Sequence, residues 1–520
     1  MVSQDSLPDD PEQNRSPRPA SVSALSLRRK QIRSHLVIIS LFLCLFLAAL
    51  DVTIVAPALP IIASHLNATT SQYTWVGSAY TLASSSTTPL WARISDIWGR
   101  RAILMLSNGV FLCGSLVCAL SKTPLMLIGG RAVQGVGSGG IIVMVTIIVA
   151  DLFPLRERAK YYALTGIIWA ISSGVGPILG GVFTQTIGWR WCFYINLPFD
   201  GLSLVVLFFF LRLEPVRAAA SSLRSFDWIG SILVVGGTIC FLYGLESGSG
   251  NEHKWDSAFT LGLMIGGLVI LAIFGYYEWS VAQCPILPVR SLLSRSTVPC
   301  LLTAFFHSFT FIAYNYFNPL YFQLVLKVTP IQSGLYLFAM VLPLSAMTLA
   351  SGFFVQRTGE YRPVIWIASL FMVAGTGLFI DFGPHLVLWK IVVYQLIAGV
   401  GAGPLFQAPM IAFQSALKPE NVATGNAALT FLKNLATSLS LVIGGVVAQS
   451  GLGDVRLSSF SGDGETEGED SNQTALLPGL RNMWIFYTAI CGTMAIVSLT
   501  IKRHSLCQDN DSERAVQSTD

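Results

Sequence analysis

The chain has 520 residues, 53% of them hydrophobic and 12% charged, with a mean hydropathy of +0.62. Soluble globular chains carry about 25% charged residues, so this composition excludes a large soluble core and indicates an integral membrane protein, whose helix-length apolar segments lead to the expectation of an all-α fold. The net charge of +4 discriminates nothing by itself, because in membranes the placement of basic residues matters more than their sum.

In chain order, residues 1–35 are polar and rich in Ser, Pro, Asp and Arg. They predict a disordered cytoplasmic tail, neither signal peptide nor folded domain. Apolar segments follow near 36–62, 73–92, 102–120, 125–150, 161–182 and 193–212, expected to form an N-terminal six-helix bundle over 36–212. Two more, near 227–246 and 257–278, are expected as additional helices (227–278). Six others, near 298–323, 333–355, 363–381, 387–413, 422–448 and 483–501, predict a C-terminal six-helix bundle over 298–501, with 502–520 as a tail. Each has about the 20 residues needed to cross roughly 30 Å of hydrocarbon as a helix.

An even number of spans puts both termini on one side. Of the 32 Lys and Arg residues, Lys122, Arg190, Lys254, Lys327, Arg456 and Arg481 alone fall in loops on the opposite side. Arg131, Lys390 and Lys433 lie inside spans, and Lys390 is near enough to an end to snorkel. The remainder predict cytoplasmic termini. The sequons at Asn67 and Asn472 are candidate glycosylation sites on the outer side, although Asn14 and Asn510 match the same pattern in the tails.

An internal repeat organises the chain. "ARISDIWGRR" (92–101) is echoed by "GFFVQRTGEYR" (352–362), and "GVGSGG" (135–140) by "GVGAGP" (399–404). Gly180-Gly181 likewise returns as Gly444-Gly445. Parallel six-helix repeats around a central cleft are a transporter architecture.

Within this frame several residues carry chemistry. "LFLAALDVTIVAPALP" (45–60) is apolar until Asp51, and a carboxylate there costs roughly 2.5–3.5 kcal/mol on insertion scales. Pro57 and Pro60 follow it and are expected to bend the helix and free carbonyls. In "ARISDIWGRR", Gly99 permits a tight turn and Arg100 and Arg101 anchor the loop. Asp96 suits an arginine or a helix N-terminus, as a latch between the halves. Arg131 is followed by Gln134 on the same face. The Gly135, Gly137, Gly140 pattern beside them matches a dinucleotide fingerprint only formally, because no strand precedes it. In "SSGVGPILGG" (172–181), Gly176, Gly180 and Gly181 allow close helix approach and Pro177 permits a bend. "YFNPLYFQ" (316–323) offers Tyr316 either to a substrate cavity or to an aromatic belt. His307 and Lys433, both mid-span, complete the cavity candidates with Gln134.

These stretches resemble the major facilitator superfamily, and within it the fourteen-spanning drug:proton antiporter branch, most like its fungal-type members, over about 36–501. The resemblance implies a signature loop at Asp96–Arg101, a proton-linked arginine at Arg131 and an exporter motif around Gly176 and Pro177. It also implies neighbouring first and fourth helices, so that Asp51 and Arg131 meet. The chain departs from the pattern with Ala92 and Ser172 where glycine is usual and Ile97 where a basic residue is common. The implied function is secondary active export of amphipathic xenobiotics or endogenous toxic metabolites, by proton antiport and alternating access. The plasma membrane is the first expectation and the vacuolar membrane the alternative. A vacuolar or uptake carrier for amino acids or siderophores, or a non-transporting sensor, are the competing readings.

No P-loop, GxSxG or HExxH motif is present, which predicts no enzyme, no ATP coupling and no cofactor. The nine cysteines show no CxxC pair, and Cys44, Cys113 and Cys240 lie in apolar runs. They read as packing residues, with no metal site. The expected partners are a small-molecule substrate, protons and the bilayer, without nucleic acid, for a chain working as a monomer.

Overall fold

The computed structural model describes residues 20–55, 58–68, 70–211, 226–249, 256–282, 285–287, 289–450 and 469–504. Among the described residues there is no strand, and fourteen long helices follow one another. The first six are α1 (Ala20–Ile54), α2 (Thr70–Trp98), α3 (Arg100–Ala119), α4 (Pro124–Leu152), α5 (Leu155–Thr186) and α6 (Trp191–Phe210). Next come α7 (Trp228–Ser249) and α8 (Ala258–Ser280). The last six are α9 (Val298–Leu324), α10 (Pro330–Thr358), α11 (Arg362–Asp381), α12 (Leu388–Ser415), α13 (Val422–Ser450) and α14 (Glu469–Ser498). Thirteen are long and apolar enough to cross a membrane. The exception, α2, has 29 residues, but its Ser- and Thr-rich stretch lowers its hydropathy. Its hydroxyls bond back to the preceding turn, as Thr87 Oγ1 does to Ala83 O at 2.7 Å and Thr88 Oγ1 to Ser84 O at 2.7 Å.

The same packing occurs twice. In the first half α3 and α2 pack on α4, α1 on α5 and α6, and α3 on α6. The equivalent pairs in the second half are α11 and α10 on α12, α9 on α13 and α14, and α11 on α14. The repeated glycines explain why. A Cβ on Gly135 would sit 2.3 Å from the Tyr80 carbonyl oxygen of α2, and one on Gly137 would sit 2.4 Å from the Phe111 nitrogen of α3. A Cβ on Gly399 would likewise meet Met340 O of α10 at 2.4 Å, and one on Gly401 would meet Met372 N of α11 at 2.3 Å. Only a residue without a side chain lets two neighbours approach α4 and α12 this closely.

The halves meet along two symmetry-related seams, α5 against α10 and α2 against α13. The additional helices pack on each other, and α7 covers the second seam by contacting α2 and α13. There Trp75 and Tyr243 pair at 5.0 Å, and Ser78 bonds Glu246 at 2.5 Å. α8 turns an apolar row, including Ile265, Leu268, Val269 and Ile273, outward.

Three boundaries differ from expectation. α1 starts at Ala20, directly after Pro19, because no further proline or glycine interrupts the segment expected as a polar tail. It ends at Ile54, and Pro60 lies in the first turn of a separate helix, Leu59–Leu66. A missing N–H costs nothing in a first turn, so Pro60 starts a helix instead of bending one, while Pro57 lies outside the described residues. α14 begins at Glu469, so that Asn472 falls in a helix. Asn67 is exposed and caps Leu59–Leu66 in the left-handed conformation, φ 51°.

Candidate functional site

Asp51 and Arg131 meet. Asp51 is 1% exposed and Arg131 2%, so the pair is enclosed within the first half. Arg131 Nη1 donates to one carboxylate oxygen of Asp51, and its Nε donates to Val76 O at 3.1 Å. Its guanidinium lies 4.3 Å from the Tyr80 ring centroid, so the aromatic face adds a cation–π contact. The other Asp51 oxygen accepts from Gln134 Nε2 at 2.8 Å and Asn196 Nδ2 at 3.0 Å. Both amides also reach Ser115 Oγ, at 2.8 and 3.3 Å, and Gln134 Oε1 accepts from Arg131 at 2.9 Å. A buried carboxylate is tolerated only when ion-paired and hydrogen-bonded, and here helices α1, α2, α3, α4 and α6 all contribute.

Gln134 belongs to this cluster, where it is fully buried. Its amide spans a carboxylate, a guanidinium and a hydroxyl. Asn196 escaped the sequence reading because a lone asparagine beside an aromatic run carries no signal of its partner.

The α5 motif touches α1 immediately after Asp51. Thr53 Oγ1 donates to Ser172 O at 2.9 Å, and a Cβ on Gly176 would lie 2.0 Å from Thr53 Oγ1. Ser172, standing where glycine is usual, sends its own hydroxyl to Phe46 O at 3.4 Å. Pro177 is interior to α5, which runs continuously through it. Gly180 is buried, while Gly181 faces open space. The opposite side of α5 meets the second half, where a Cβ on Gly174 would touch Phe338 at 3.4 Å and one on Gly166 would touch Thr348 at 3.0 Å.

The α2–α3 turn is built as its residues suggest, with Gly99 at φ +88°. Asp96 pairs with Arg100 at 2.5 Å and with Arg93 at 3.6 Å, and Arg100 also holds Asp151 of α4 at 3.0 Å. Arg101 donates to Phe208 O on α6. Every one of these partners lies in the first half, so the loop braces its own bundle. The bonds between halves at this end come from residues not singled out in the sequence. Arg156 donates to Gln356 O and Arg357 O at 2.7 and 2.6 Å. Gln414 Nε2 donates to the Tyr162 hydroxyl and to Asn426 Oδ1, each at 2.9 Å, and Arg158 reaches Gln414 at 3.3 Å. Gly359, the counterpart of Gly99, is also left-handed at φ +73°.

His307 and Lys433 are brought together by an aromatic side chain. His307 is 1% exposed, and its Nε2 lies 3.1 Å from Ala402 O. A carbonyl only accepts, so Nε2 carries the proton; the buried Nδ1 has no partner. Phe406 lies 4.8 Å from both the His307 and Phe311 rings, and Lys433 Nζ lies 5.6 Å from the Phe406 centroid. Phe406 is presented by the interruption of α12 between Leu405 and Ala408, and a Cβ on Gly166 of α5 would meet it at 3.4 Å. Tyr316 is not part of this group: it lies roughly 13 Å along α9 from His307 and is exposed, beside Phe317. The polar Asn318 on the same helix is fully buried instead. Lys390, as its place near a helix end suggests, pairs with Asp381 at 2.7 Å.

A family model described as Major Facilitator Superfamily matches residues 41–441. The efflux pump dotC of Dothistroma septosporum is 42% identical over 492 residues, covering 91% of this chain and 84% of that one. The MFS-type transporter ppz2 of Metarhizium majus is 36% identical over 508 residues (93% and 87%), and efflux pump FUS6 of Gibberella moniliformis 35% over 439 residues (83% and 78%). Among solved structures, the proton:xylose symporter XylE superposes with a TM-score of 0.60 at 14% identity, covering 90% of this chain and 96% of that one. The human organic anion transporter MFSD10 does so with a TM-score of 0.60 at 18% identity (89% and 99%); likenesses at these identities speak for the fold alone. With two packed six-helix repeats, the additional pair α7 and α8, and relatives alike over nearly its whole length, the chain belongs to the Major Facilitator Superfamily and is a multi-pass membrane transporter, not an enzyme.

Proposed function

We propose that the protein exports amphipathic small molecules in exchange for protons, and that Asp51 is the group that takes up and releases the proton. The observation that carries this reading is that Asp51, in its buried pair with Arg131 of α4, stands on α1 two residues before the clamp of Thr53 to the seam-forming helix α5. With Asp51 ionised, Arg131, Gln134 and Asn196 saturate its oxygens and hold α1 in place. A proton on Asp51 cancels the charge attraction to Arg131 and turns one accepting oxygen into a donor, so the cluster keeps one accepting oxygen and its hold on α1 weakens. The clamp at Thr53 and Gly176 then transmits the loosening to α5. The bonds from Arg156 and Gln414 are those that must break for the cleft to open at that end. Such movement of one packed half against the other is the rocking form of alternating access.

The export direction is supported by the curated relatives, two of which are named efflux pumps, and by the Gly176-Pro177 motif. Cytoplasmic termini follow from the bias of basic residues toward one side; residence in the plasma membrane is part of the same exporter reading, and an exposed Asn67 on the outer side is then open to glycosylation. The test is flux by the purified full chain in liposomes under an imposed pH gradient. Asp51→Asn keeps the size of the side chain and cannot ionise, so it abolishes accumulation against a gradient while substrate exchange persists. Accumulation that survives the substitution removes Asp51 as the coupling group. Import, or no flux at all, replaces the exporter by a carrier or a sensor.

A further inference from the structure

Lys433 is the unspent charge of the second half. It stands inside α13, beside the Phe406 ring, and among the described residues it has no ion pair or side-chain hydrogen bond. Of the acidic groups in the spans, Asp51 pairs with Arg131, Glu246 bonds Ser78 on the α2–α7 contact, and Glu278 of α8 accepts from Ile286 N at 3.1 Å. Asp200 sits on α6, which packs on α1 and α3 of the first half. A lone ammonium within the hydrocarbon depth is expensive, and Phe406 supplies only part of what it loses from water. Beside it His307 presents Nδ1, buried and unpartnered, as a bare acceptor, because Nε2 is committed to Ala402 O at 3.1 Å. Phe311 and Phe406 wall the group with apolar faces, and Phe406 also borders α5 of the other half. One cation, one hydrogen-bond acceptor and two rings thus stand where the halves meet.

We propose that Lys433, His307, Phe311 and Phe406 form a recognition site for hydroxylated aromatic acids, so that the transporter prefers anionic substrates to cationic ones. The substrate's carboxylate or phenolate pairs with the Lys433 ammonium, an O–H on the ring system donates to His307 Nδ1, and the ring packs against Phe311 and Phe406. A cationic substrate of the same shape meets like-charge repulsion and leaves Nδ1 unsatisfied, both of which act against binding. This deepens the exporter reading and rests on it for the statement that the bound molecule is cargo.

The test compares two dyes that share a xanthene ring system. Fluorescein carries a carboxylate and a phenol, whereas rhodamine 123 is a cationic ester. Binding to the full chain in detergent micelles is read by fluorescence polarisation. Fluorescein is expected to bind at least tenfold more tightly than rhodamine 123. Lys433→Gln should erase that ratio and Lys433→Arg should retain most of it. Equal or tighter rhodamine binding, binding of neither dye, or an unchanged ratio in Lys433→Gln overturns the proposal. Flux separates the two readings: Lys433-dependent fluorescein binding without pH-driven movement in liposomes keeps the anion site and discards the exporter.

Discussion

Thr53 and Gly176 face each other across the α1–α5 contact, with the Thr53 hydroxyl occupying the space a side chain at Gly176 would need. Gly176→Ala must push the helices apart or turn Thr53 out of its bond to Ser172 O. Overpacking of this kind costs about 1–3 kcal/mol. The expected result is a lowered thermal unfolding midpoint in detergent and transport reduced at least tenfold, both partly restored by adding Thr53→Ala, which removes the clashing hydroxyl. Failure of the double variant to recover either property would argue against this contact as their cause.

Asn196 offers a separate handle on the Asp51 cluster. Asn196→Ala removes one of the neutral donors to the carboxylate while Arg131 and Gln134 remain. A lost donor makes the ionised form less favourable, so the proton is held to higher pH. The pH dependence of transport should therefore move alkaline, in the direction opposite to any variant that adds a donor. An acidic displacement, or none, would mean that Asn196 does not face the titrating group.

Gln414 joins three polar groups at one end of the seam, including Tyr162 of the other half. Gln414→Ala should weaken closure there. A single cysteine introduced at an otherwise cysteine-free cleft position should then react faster with a membrane-impermeant maleimide applied from that side, by a few fold. Tyr162→Phe should act in the same direction and by less, since it removes one bond of the three. Unchanged labelling rates in both would show that the closure rests on other contacts.

Gly99 adopts φ +88°, a conformation that side chains resist, although no neighbouring atom crowds the position. Gly99→Ala is thus strained by its backbone alone, at about 1–3 kcal/mol. Gly99→Asp adds a carboxylate beside Asp96 and competes for Arg100. Both should reach the membrane. Transport should fall in Ala and fall further in Asp, and equal activity of the two would assign the whole effect to the turn.

Much of this molecule is local in origin and was legible along the chain. Apolar length set the number of helices, and the spacing of Gly135, Gly137, Gly399 and Gly401 announced two like bundles, because close packing of backbones demands glycine wherever it occurs. Asp51 and Arg131 were visible because an ionised group in an apolar segment is costly and calls for a partner. What the chain could not display was how polar groups distant in sequence divide their bonds. Gln134 turned inward to a carboxylate on α1, Asp96 paired inside its own loop, and Asn196, Arg156 and Gln414 acquired roles through neighbours 50 or more residues away. Periodicity reports which face of a helix is apolar; it does not report which helix will lie against that face. Only the folded arrangement settled that, and with it the meeting of Lys433, Phe406 and His307 from three different helices.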